Sequence, residues 1–381
     1  MKKIVMGIAA LACAVSMFAV DFSARVYMTG DVASGSSADG SNVELLKLKS
    51  ADQKDADALV LSGSSDNAGA QFQFWYKYDG TDGMQSLSIR SASLWFKPID
   101  QLKITVGDLS VGTFKEQLHW WKDPTGANYG ESKSWAGKYS SYATVEAAGI
   151  NLEITPIDGL WIAAGVAPGA DKAWITFSDP ISVLAYGVAA TYNLQGVTDL
   201  PISLGVSWRD AGKGETKILA IGGTYGNAWS DGFFAMLNAR FNISKNDHTW
   251  WSSDNEVSFR GVALDNYFKF NAGAFCAELR APVIIRFSGN DDDPSYMEFS
   301  ARVKYALDGF TPYFLFGSDI DNDGEIAFND TFGDDFNIEL KPGIQFNVGS
   351  CSIDLAALIS IGRGSDRVIG WSVPFELSVA F

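Results

Sequence analysis

Histidine and cysteine are scarce in this sequence, and their scarcity removes two large classes of chemistry. The chain has two histidines, His119 and His248, and neither lies in a recognisable Ser–His or Asp–His motif. An activated nucleophile usually needs a nearby base, and zinc sites are built mainly from His and Cys. We therefore expect no catalytic residues and no zinc site. Cys276 and Cys351 lie in different predicted strands; we interpret them as small wall residues, although a disulfide between them stays open.

Charged residues, proline and long apolar runs are also in short supply. Charged residues make up 19% of the chain, and the formal net charge of −16 argues against nucleic acid as a partner, because nucleic-acid-binding surfaces are basic. Only 11 prolines occur among 381 residues, which argues against a disordered low-complexity chain. After residue 20, no segment approaches the roughly 18 consecutive apolar residues that a membrane-spanning helix requires. If the mature protein crosses a membrane, it must cross with strands.

The first 19 residues have the pattern of a secretory signal peptide. Lys2 and Lys3 form a basic start, an apolar stretch follows from Ile4 to Val20, and Ala19 offers a small residue for cleavage. We therefore predict a signal peptide over residues 1–19 and a mature domain over residues 20–381. Two alternatives stay open: the apolar stretch could be a membrane anchor, or Cys13, after Ala10–Leu11–Ala12, could carry a lipid.

What the chain has in abundance is alternation of apolar and polar residues, which is clearest at its C-terminus. Successive side chains of a strand point to opposite sides, so this period gives one apolar and one polar surface. The same period occurs at Ile353–Ile361, Phe336–Val348 and Met297–Tyr305, and in several earlier segments. In the last segment the apolar positions are Trp371, Val373, Phe375, Leu377, Val379 and Phe381.

The length of the predicted strands and of their connections favours a transmembrane antiparallel β-barrel over a soluble β-sandwich. The alternating segments run for roughly 9 to 14 residues, enough to cross a bilayer at a tilt, whereas sandwich strands average about 5 to 6 residues. Short and long connections alternate along the chain, as in barrels with short turns on one side and long surface loops on the other. The predicted long connections are Ser110–Lys138, Pro168–Pro180, Ser244–Leu264, Gly289–Pro294 and Asp319–Asp334.

The strand count follows from the position of the two termini. An even number of strands is expected when both termini lie on the same side of the membrane. About seventeen segments are clear, so Ser41–Gly63 must hold one more weak strand, around Val43–Lys49 or Asp57–Ser62. We predict about 18 strands, with 16 as the alternative. The alternation slips by one residue near Arg90 and Ser91, which indicates a bulge, and the segment Tyr267–Glu278 is the least regular.

Several stretches resemble a known group of membrane proteins. The sequence is similar to outer-membrane porins in its leader, its alternating strands and its terminal Phe381, which resembles the signal read by barrel-assembly machinery. The stretches VYMTGDVA, QKDADALV, GAQFQFWYKY and LWFKPIDQLKITVGD resemble those of spirochaetal porin-like barrels. This resemblance implies a channel in the outer membrane, and it implies that the third loop, Ser110–Lys138, folds inward and narrows it.

Charged residues on the polar faces of the predicted strands are candidate pore-lining groups. An Arg or Lys facing lipid at the bilayer midplane costs roughly 2–4 kcal/mol, so these side chains are expected to face the lumen. The alternative interpretation is that these charges are paired with one another and hydrated, and that they give the channel no specific ion selectivity. The candidates are Lys77, Lys103, Glu153, Arg209, Arg240, Arg286, Glu298, Arg302, Lys304, Asp335, Glu339, Lys341, Asp354 and Glu376.

The long connection Ser110–Lys138 carries aromatic residues beside charges. Such a mixture can stack on sugar rings, or it can cap the barrel or anchor it at the membrane interface. The sequence lacks the acidic signature of enterobacterial third loops, so the resemblance does not fix charge selectivity. The predicted constriction residues are Lys115, Glu116, Trp120, Trp121, Asp123 and Glu131.

One acidic segment resembles a calcium-binding loop. Positions 1, 3 and 5 of the stretch that starts at Asp319 are Asp, position 6 is Gly324 and position 12 is acidic, as in an EF-hand loop. An Asp replaces the usual final Glu, and the flanks are predicted strands rather than helices, so a solvated hairpin tip is the alternative. The candidate calcium ligands are Asp319, Asp321, Asp323, Glu325 and Asp330.

These patterns support one main hypothesis and one alternative. The main hypothesis is an outer-membrane porin that gives small hydrophilic solutes passive passage, with membrane lipid as its surroundings and assembly as a homotrimer left open. The alternative is a surface-exposed binding or adhesion barrel whose acidic loops act with calcium. The porin and the adhesion barrel both require the same pattern of alternating strands, so the sequence does not distinguish the two hypotheses.

Overall fold

A computed structural model of the chain describes most of its strands and the turns at one end. The described residues are 19–36, 43–49, 58–78, 85–108, 148–168, 184–198, 200–210, 217–227, 229–242, 260–281, 283–288, 296–297, 300–318, 336–363 and 369–380. The predicted signal peptide is thus almost entirely outside the described part of the chain, and it stays a prediction.

The described residues form 22 strand segments in one antiparallel sheet. The first eleven are β1 (Ala19–Ser36), β2 (Val43–Lys49), β3 (Ala58–Ser64), β4 (Ala68–Tyr78), β5 (Gln85–Ile99), β6 (Leu102–Asp108), β7 (Ala148–Ile157), β8 (Leu160–Pro168), β9 (Leu184–Asn193), β10 (Ile202–Asp210) and β11 (Lys217–Tyr225). The others are β12 (Gly232–Asn242), β13 (Arg260–Ala272), β14 (Phe275–Arg280), β15 (Val283–Ser288), β16 (Tyr296–Met297), β17 (Ser300–Tyr305), β18 (Phe310–Ser318), β19 (Phe336–Val348), β20 (Cys351–Ala356), β21 (Leu358–Arg363) and β22 (Ile369–Ala380).

Pairing of the first strand with the last closes the sheet into a barrel. β1 pairs with β22 from Arg25↔Ala380 to Ser36↔Gly370, and on its other side it pairs with β2 and β3. Closure leaves the described sheet without a free edge, which is the condition for a sheet to span a bilayer. The predicted all-β class and antiparallel barrel architecture are confirmed.

Consecutive segments that flank the same neighbour act as single wall strands. β2 and β3 both pair with β1, and β14 and β15 both pair with β13. β16 and β17 pair with β15 and β14, respectively, and β20 and β21 both pair with β19. Counted this way, the described residues form eighteen wall strands, as predicted. Both weak segments proposed within Ser41–Gly63 are present, as the two halves of the second wall strand.

The connections at one end of the barrel are short and, except for residues 199 and 228, described, whereas those at the other end fall in the ranges not described. The short ones include the two-residue turns Gly273–Ala274 and Gly349–Ser350. Their first residues have φ angles of 56° and 60°, which favour glycine. The longest connection, 109–147, joins β6 to β7 and is therefore the third at its end, between the fifth and sixth wall strands, as predicted. It contains Ser110–Lys138, which lies outside the described residues.

Two sequence interpretations need correction. Tyr267–Glu278 is not one irregular strand: β13 ends at Ala272, the turn follows, and β14 begins at Phe275, with Tyr267 paired to Arg280. The predicted connection Ser244–Leu264 is too long, because β13 already begins at Arg260. In the second place two adjacent polar residues inside the strand, Asp265 and Asn266, mimic a loop.

The predicted bulge near Arg90 is confirmed. Gln73 of β4 pairs with Ser91, whereas Phe74 pairs with Ile89, so Arg90 is an extra residue in β5. Helical structure in the described part of the chain is a single short element, α1 (Gln195–Thr198), in the connection between β9 and β10. No helix of the described residues is long and apolar enough to cross a membrane.

The two surfaces of the wall differ as the alternation requires. Along β7, Leu152 and Ile154 are exposed on the outside, while Asn151 and Glu153 between them are buried inside. An apolar outer face and a polar inner face are what a barrel in lipid needs. The inner surface also holds a cluster of buried apolar residues at Trp161, Ala163, Ala189, Phe234, Met236 and Tyr267.

Candidate functional site

The inner surface of the barrel is the candidate functional site, and charged groups on β13, β14 and β17 form its most ordered part. Lys269, Glu278 and Arg302 occupy directly paired positions on these three strands. The Arg302 Nε donates a hydrogen bond of 2.6 Å to Glu278 Oε2, and the Tyr267 hydroxyl donates one of 2.7 Å to Glu278 Oε1. The side chains of Arg302 and Glu278 are only 3% and 2% exposed. Charges buried so deeply persist only when paired and hydrogen-bonded.

This charged group continues around the wall through the neighbouring strands. Arg302 pairs with Leu315 of β18, which pairs with Lys341 of β19, and Lys341 is buried on the inner face. On β18 the Tyr313 hydroxyl donates a hydrogen bond of 2.6 Å to Asp354 of β20. The inner surface of this half of the barrel therefore carries several buried charged groups, of which Arg302 and Glu278 form an ion pair.

A second charged group lies on β6 and β7. Lys103 and Glu153 are directly opposite each other, and Lys103 Nζ lies 3.1 Å from Glu153 Oε2. The indole of Trp161 donates a hydrogen bond of 3.2 Å to Glu153 Oε1. Glu153 is thereby held by two partners, and its charge is compensated.

An aromatic residue covers the inner surface near the short turns. Trp229, in the connection between β11 and β12, has its ring centroid 5.3 Å from Lys269 Nζ, a cation–π distance. Hydrogen bonds from Asn271 Nδ2 to Ser230 O (2.9 Å) and from the Gly273 amide to Asp231 (3.1 Å) tie this connection to β13. The turn is therefore fixed against the neighbouring hairpin.

The structure places most of the predicted pore-lining residues on the inner surface. Glu153, Arg302, Glu339 and Lys341 are buried there, and Lys103, Lys304, Asp354 and Glu376 are partly buried on the same face. Lys77, Arg209, Arg240 and Arg286 have described backbones, paired with Ser86, Gly187, Ala220 and Gly261 respectively. Glu298 and Asp335 lie outside the described residues.

The predicted constriction and calcium residues fall in two of the long connections, 109–147 and 319–335. The constriction residues Lys115, Glu116, Trp120, Trp121, Asp123 and Glu131 and the calcium ligands Asp319, Asp321, Asp323, Glu325 and Asp330 all lie outside the described residues. Within the described ranges, no group of three or more His, Cys, Asp or Glu side chains could hold a metal ion. Both assignments stay predictions.

Sequence reasoning missed several inner-surface residues. Lys269, Glu278 and Tyr267 were overlooked because the turn at Gly273–Ala274 was not recognised; once β13 and β14 are separated, alternation puts all three on one face. Asn151 and Trp95 were missed because only charged residues were considered. The alternation of side chains along each strand could have identified both residues, because Trp95 shares its face with Ser93 and Asn151 shares its face with Glu153. The cysteines are free within the described structure, and Cys276 is a buried wall residue, as interpreted.

Comparison with known proteins gives a likeness in structure but not in sequence. No protein-family model and no curated protein matches the sequence. Among solved structures, Pseudomonas aeruginosa OpdL is 14% identical with a TM-score of 0.55, and the match covers 96% of this chain and 99% of that one. The outer membrane protein OpdK of P. aeruginosa is 10% identical with a TM-score of 0.52, covering 95% and 98%.

A third likeness is to a BenF-like porin from Pseudomonas fluorescens Pf-5. It is 10% identical with a TM-score of 0.52, covering 95% of this chain and 97% of that one. At such low identity the likeness concerns the fold: the chain has the transmembrane β-barrel fold of these proteins over nearly its whole length.

Proposed function

We propose that this chain is an outer-membrane porin through which small hydrophilic solutes and ions diffuse passively. The observation that carries the proposal is the closed eighteen-strand wall with lipid-compatible side chains outside and polar, charged side chains inside. Barrels of 16 to 18 strands leave an aqueous channel, and a polar lumen suits solutes that cannot enter lipid. The similar solved structures include an outer membrane protein and a porin by name, which supports the same assignment.

The charge arrangement further suggests weak ion selectivity. Rings of like charge make a pore selective, but here Lys103 is paired with Glu153 and Arg302 with Glu278. Because the two charges of each pair cancel, each pair contributes little to the electric field in the lumen. The proposed channel therefore discriminates more by size and hydrogen bonding than by charge.

Recording from refolded protein in planar lipid bilayers tests the proposal. We expect stepwise increases in conductance as single barrels insert, with a reversal potential near zero in a salt gradient. Protein left unfolded in urea before addition is the control and should give no steps. A tight electrical seal in the presence of demonstrably folded barrel would contradict the channel.

The acidic segment Asp319–Asp330 supports a second role, in surface binding with calcium. Its Asp-x-Asp-x-Asp-Gly spacing offers the clustered oxygen ligands that Ca²⁺ prefers. Calcium-dependent ligand binding that persists when the channel is blocked would favour this role over diffusion alone. Assembly as a homotrimer and a spirochaetal kinship also belong to the proposal, the latter supported by the stretches quoted above.

A further inference from the structure

Five inner-surface side chains on β5, β6 and β7 lie in two adjacent rows, which we call the β5–β7 wall site. Trp95, Thr105 and Asn151 are directly paired across the three strands and form the first row. Lys103 and Glu153, two residues further along their strands, are paired in the next row. Because paired positions share a face and neighbouring strands lie about 4.8 Å apart, these side chains border one small area of the lumen wall.

Two side chains in the first row have polar atoms without a hydrogen-bond partner. Asn151 is 2% exposed, and neither its Oδ1 nor the buried Oγ1 of Thr105 has a partner among the described residues. Buried polar groups are nearly always hydrogen-bonded, so two adjacent exceptions call for an explanation. An amide oxygen accepts a hydrogen bond and a hydroxyl both donates and accepts. Together they fit a ligand rich in hydroxyl groups.

The neighbouring glycines keep Asn151 in this position. Gly165 of β8 pairs with Asn151, and a Cβ at Gly165 would lie 3.2 Å from Asn151 Oδ1. Gly187 of β9 pairs in turn with Gly165. Because Gly165 has no side chain, the Asn151 amide can lie against the backbone of β8.

Trp95 supplies a flat apolar surface in the same row. Its indole lies over Gly69, where a Cβ would come within 2.5 Å of Nε1, so one face of the ring rests on the wall. The Nζ atoms of Lys97 and Lys103 lie 5.7 and 5.8 Å from the ring centroid. Trp95 is only partly buried, so the exposed part of its ring, beside the two ammonium groups, can contact the apolar C–H face of a solute.

The ion pair within the site favours a neutral ligand. Lys103 and Glu153 neutralise each other, Trp161 also binds Glu153, and Lys97 lies outside the two rows, with its Nζ 5.7 Å from the Trp95 ring centroid. An anionic solute would meet the carboxylate and a cationic one the ammonium group, each disturbing an existing pair. A neutral polyhydroxylated solute can use both groups as additional hydrogen-bond partners.

From these observations we infer that the β5–β7 wall site is a binding subsite for neutral polyhydroxylated solutes, such as a sugar ring. The C–H face of the solute lies on Trp95, and its hydroxyl groups bind Asn151, Thr105 and the Lys103–Glu153 pair. The inference rests on the proposed channel function and names the class of solute that the channel recognises.

Current blockade in planar bilayers tests the subsite with three matched probes. D-glucose is the neutral probe, gluconate the anion and glucosamine the cation, all with similar sets of hydroxyl groups. We expect glucose to reduce the ion current in a saturable way, with gluconate and glucosamine at least about fivefold weaker, a difference of about 1 kcal/mol. Equal or stronger block by either charged probe would overturn the inference.

Variants show where the probe binds. We expect W95A and N151A each to raise the half-blocking glucose concentration about tenfold. Trp371→Ala is the control for W95A, because Trp371 packs over Gly35 in the same way but on the outer surface. Asn347→Ala, at an exposed position next to a short turn, is the control for N151A. Both controls should leave the glucose block unchanged.

The outcomes separate the subsite from the channel. Unitary conductance and heat-modifiable migration on gels show that each variant has folded and conducts. If wild-type channels conduct but glucose has no effect, or if W95A and W371A change the block equally, the subsite is wrong and the channel stands. If folded wild-type barrel gives no conductance steps, the proposed function itself fails.

Discussion

At the scale of single residues, the balance of charge in the lumen wall depends on a few buried partners. Glu278 is the central acceptor, since it binds Arg302 through one oxygen and the Tyr267 hydroxyl through the other. Lys269 stands at the paired position on the next strand. Removal of one member leaves a desolvated charge, whereas removal of both leaves only a polarity change.

Arg302→Met is therefore expected to destabilise the barrel by about 3–5 kcal/mol, the cost of leaving a buried carboxylate without its cation. The measurement is urea-induced unfolding in phospholipid vesicles, followed by tryptophan fluorescence. Lys103→Met is the comparison: Glu153 is also buried, but it keeps the hydrogen bond from Trp161 and its lysine partner is 35% exposed, so the loss should be smaller than in R302M.

The double variant R302M/E278Q separates charge from packing. Removing both charges should recover part of the stability lost in R302M, because neither member of the Arg302–Glu278 pair then remains as a lone ion. Wild-type unfolding behaviour in R302M, or no recovery in the double variant, would mean that Glu278 does not depend on Arg302.

At the scale of strands, the pairing register decides which residues face the lumen. A shift of one residue moves a whole strand segment from one face to the other. The bulge at Arg90 is a local exception to this rule. Gln73 pairs with Ser91 and the next residue, Phe74, pairs with Ile89, so Arg90 has no partner on β4. The strand partners on both sides of Arg90 stay the same whether it is present or absent.

Deletion of Arg90 is thus expected to be tolerated, since it converts the bulge into a regular ladder and changes no pairing partner. Deletion of Leu237 from β12, which has regular pairing on both sides, should block assembly, because it reverses the facing of half the strand. The measurement is the heat-modifiable fraction after refolding into vesicles. Similar yields for both deletions would contradict the register argument.

The alternation in the sequence predicted which surface of the barrel a residue faces better than it predicted where each strand ends. The alternation at Arg90 and Ser91 revealed a bulge, and the outer positions Ile353, Leu355 and Ile359 follow the period seen in the sequence. The hairpin at Gly273–Ala274 was missed because Asn271 and Ala272 continue the strand pattern into the turn. The β5–β7 wall site escaped notice because its unpaired atoms depend on cross-strand neighbours, which no single segment reveals.

At the scale of the whole molecule, the barrel has to be compatible with lipid outside and water inside at the same time. Within β5, Leu94 faces outward and is 56% exposed, while Ser93 is paired with Gly107 on the inner face. These adjacent residues differ in surroundings but share strand, depth and distance from the turn. They therefore form a matched pair for testing the orientation of the wall.

Leu94→Lys is expected to destabilise the folded barrel in vesicles by up to about 2–4 kcal/mol, because it places an ammonium group in hydrocarbon. Ser93→Lys adds the same charge one residue away, where water can solvate it, and should fold with nearly wild-type stability. Because the added lysine lies in the lumen, S93K should also shift the reversal potential in a salt gradient towards anion selectivity. Urea titration and bilayer recording measure the two effects. Equal destabilisation by both lysines would mean that the wall does not separate lipid from water, and the channel would then have no physical basis.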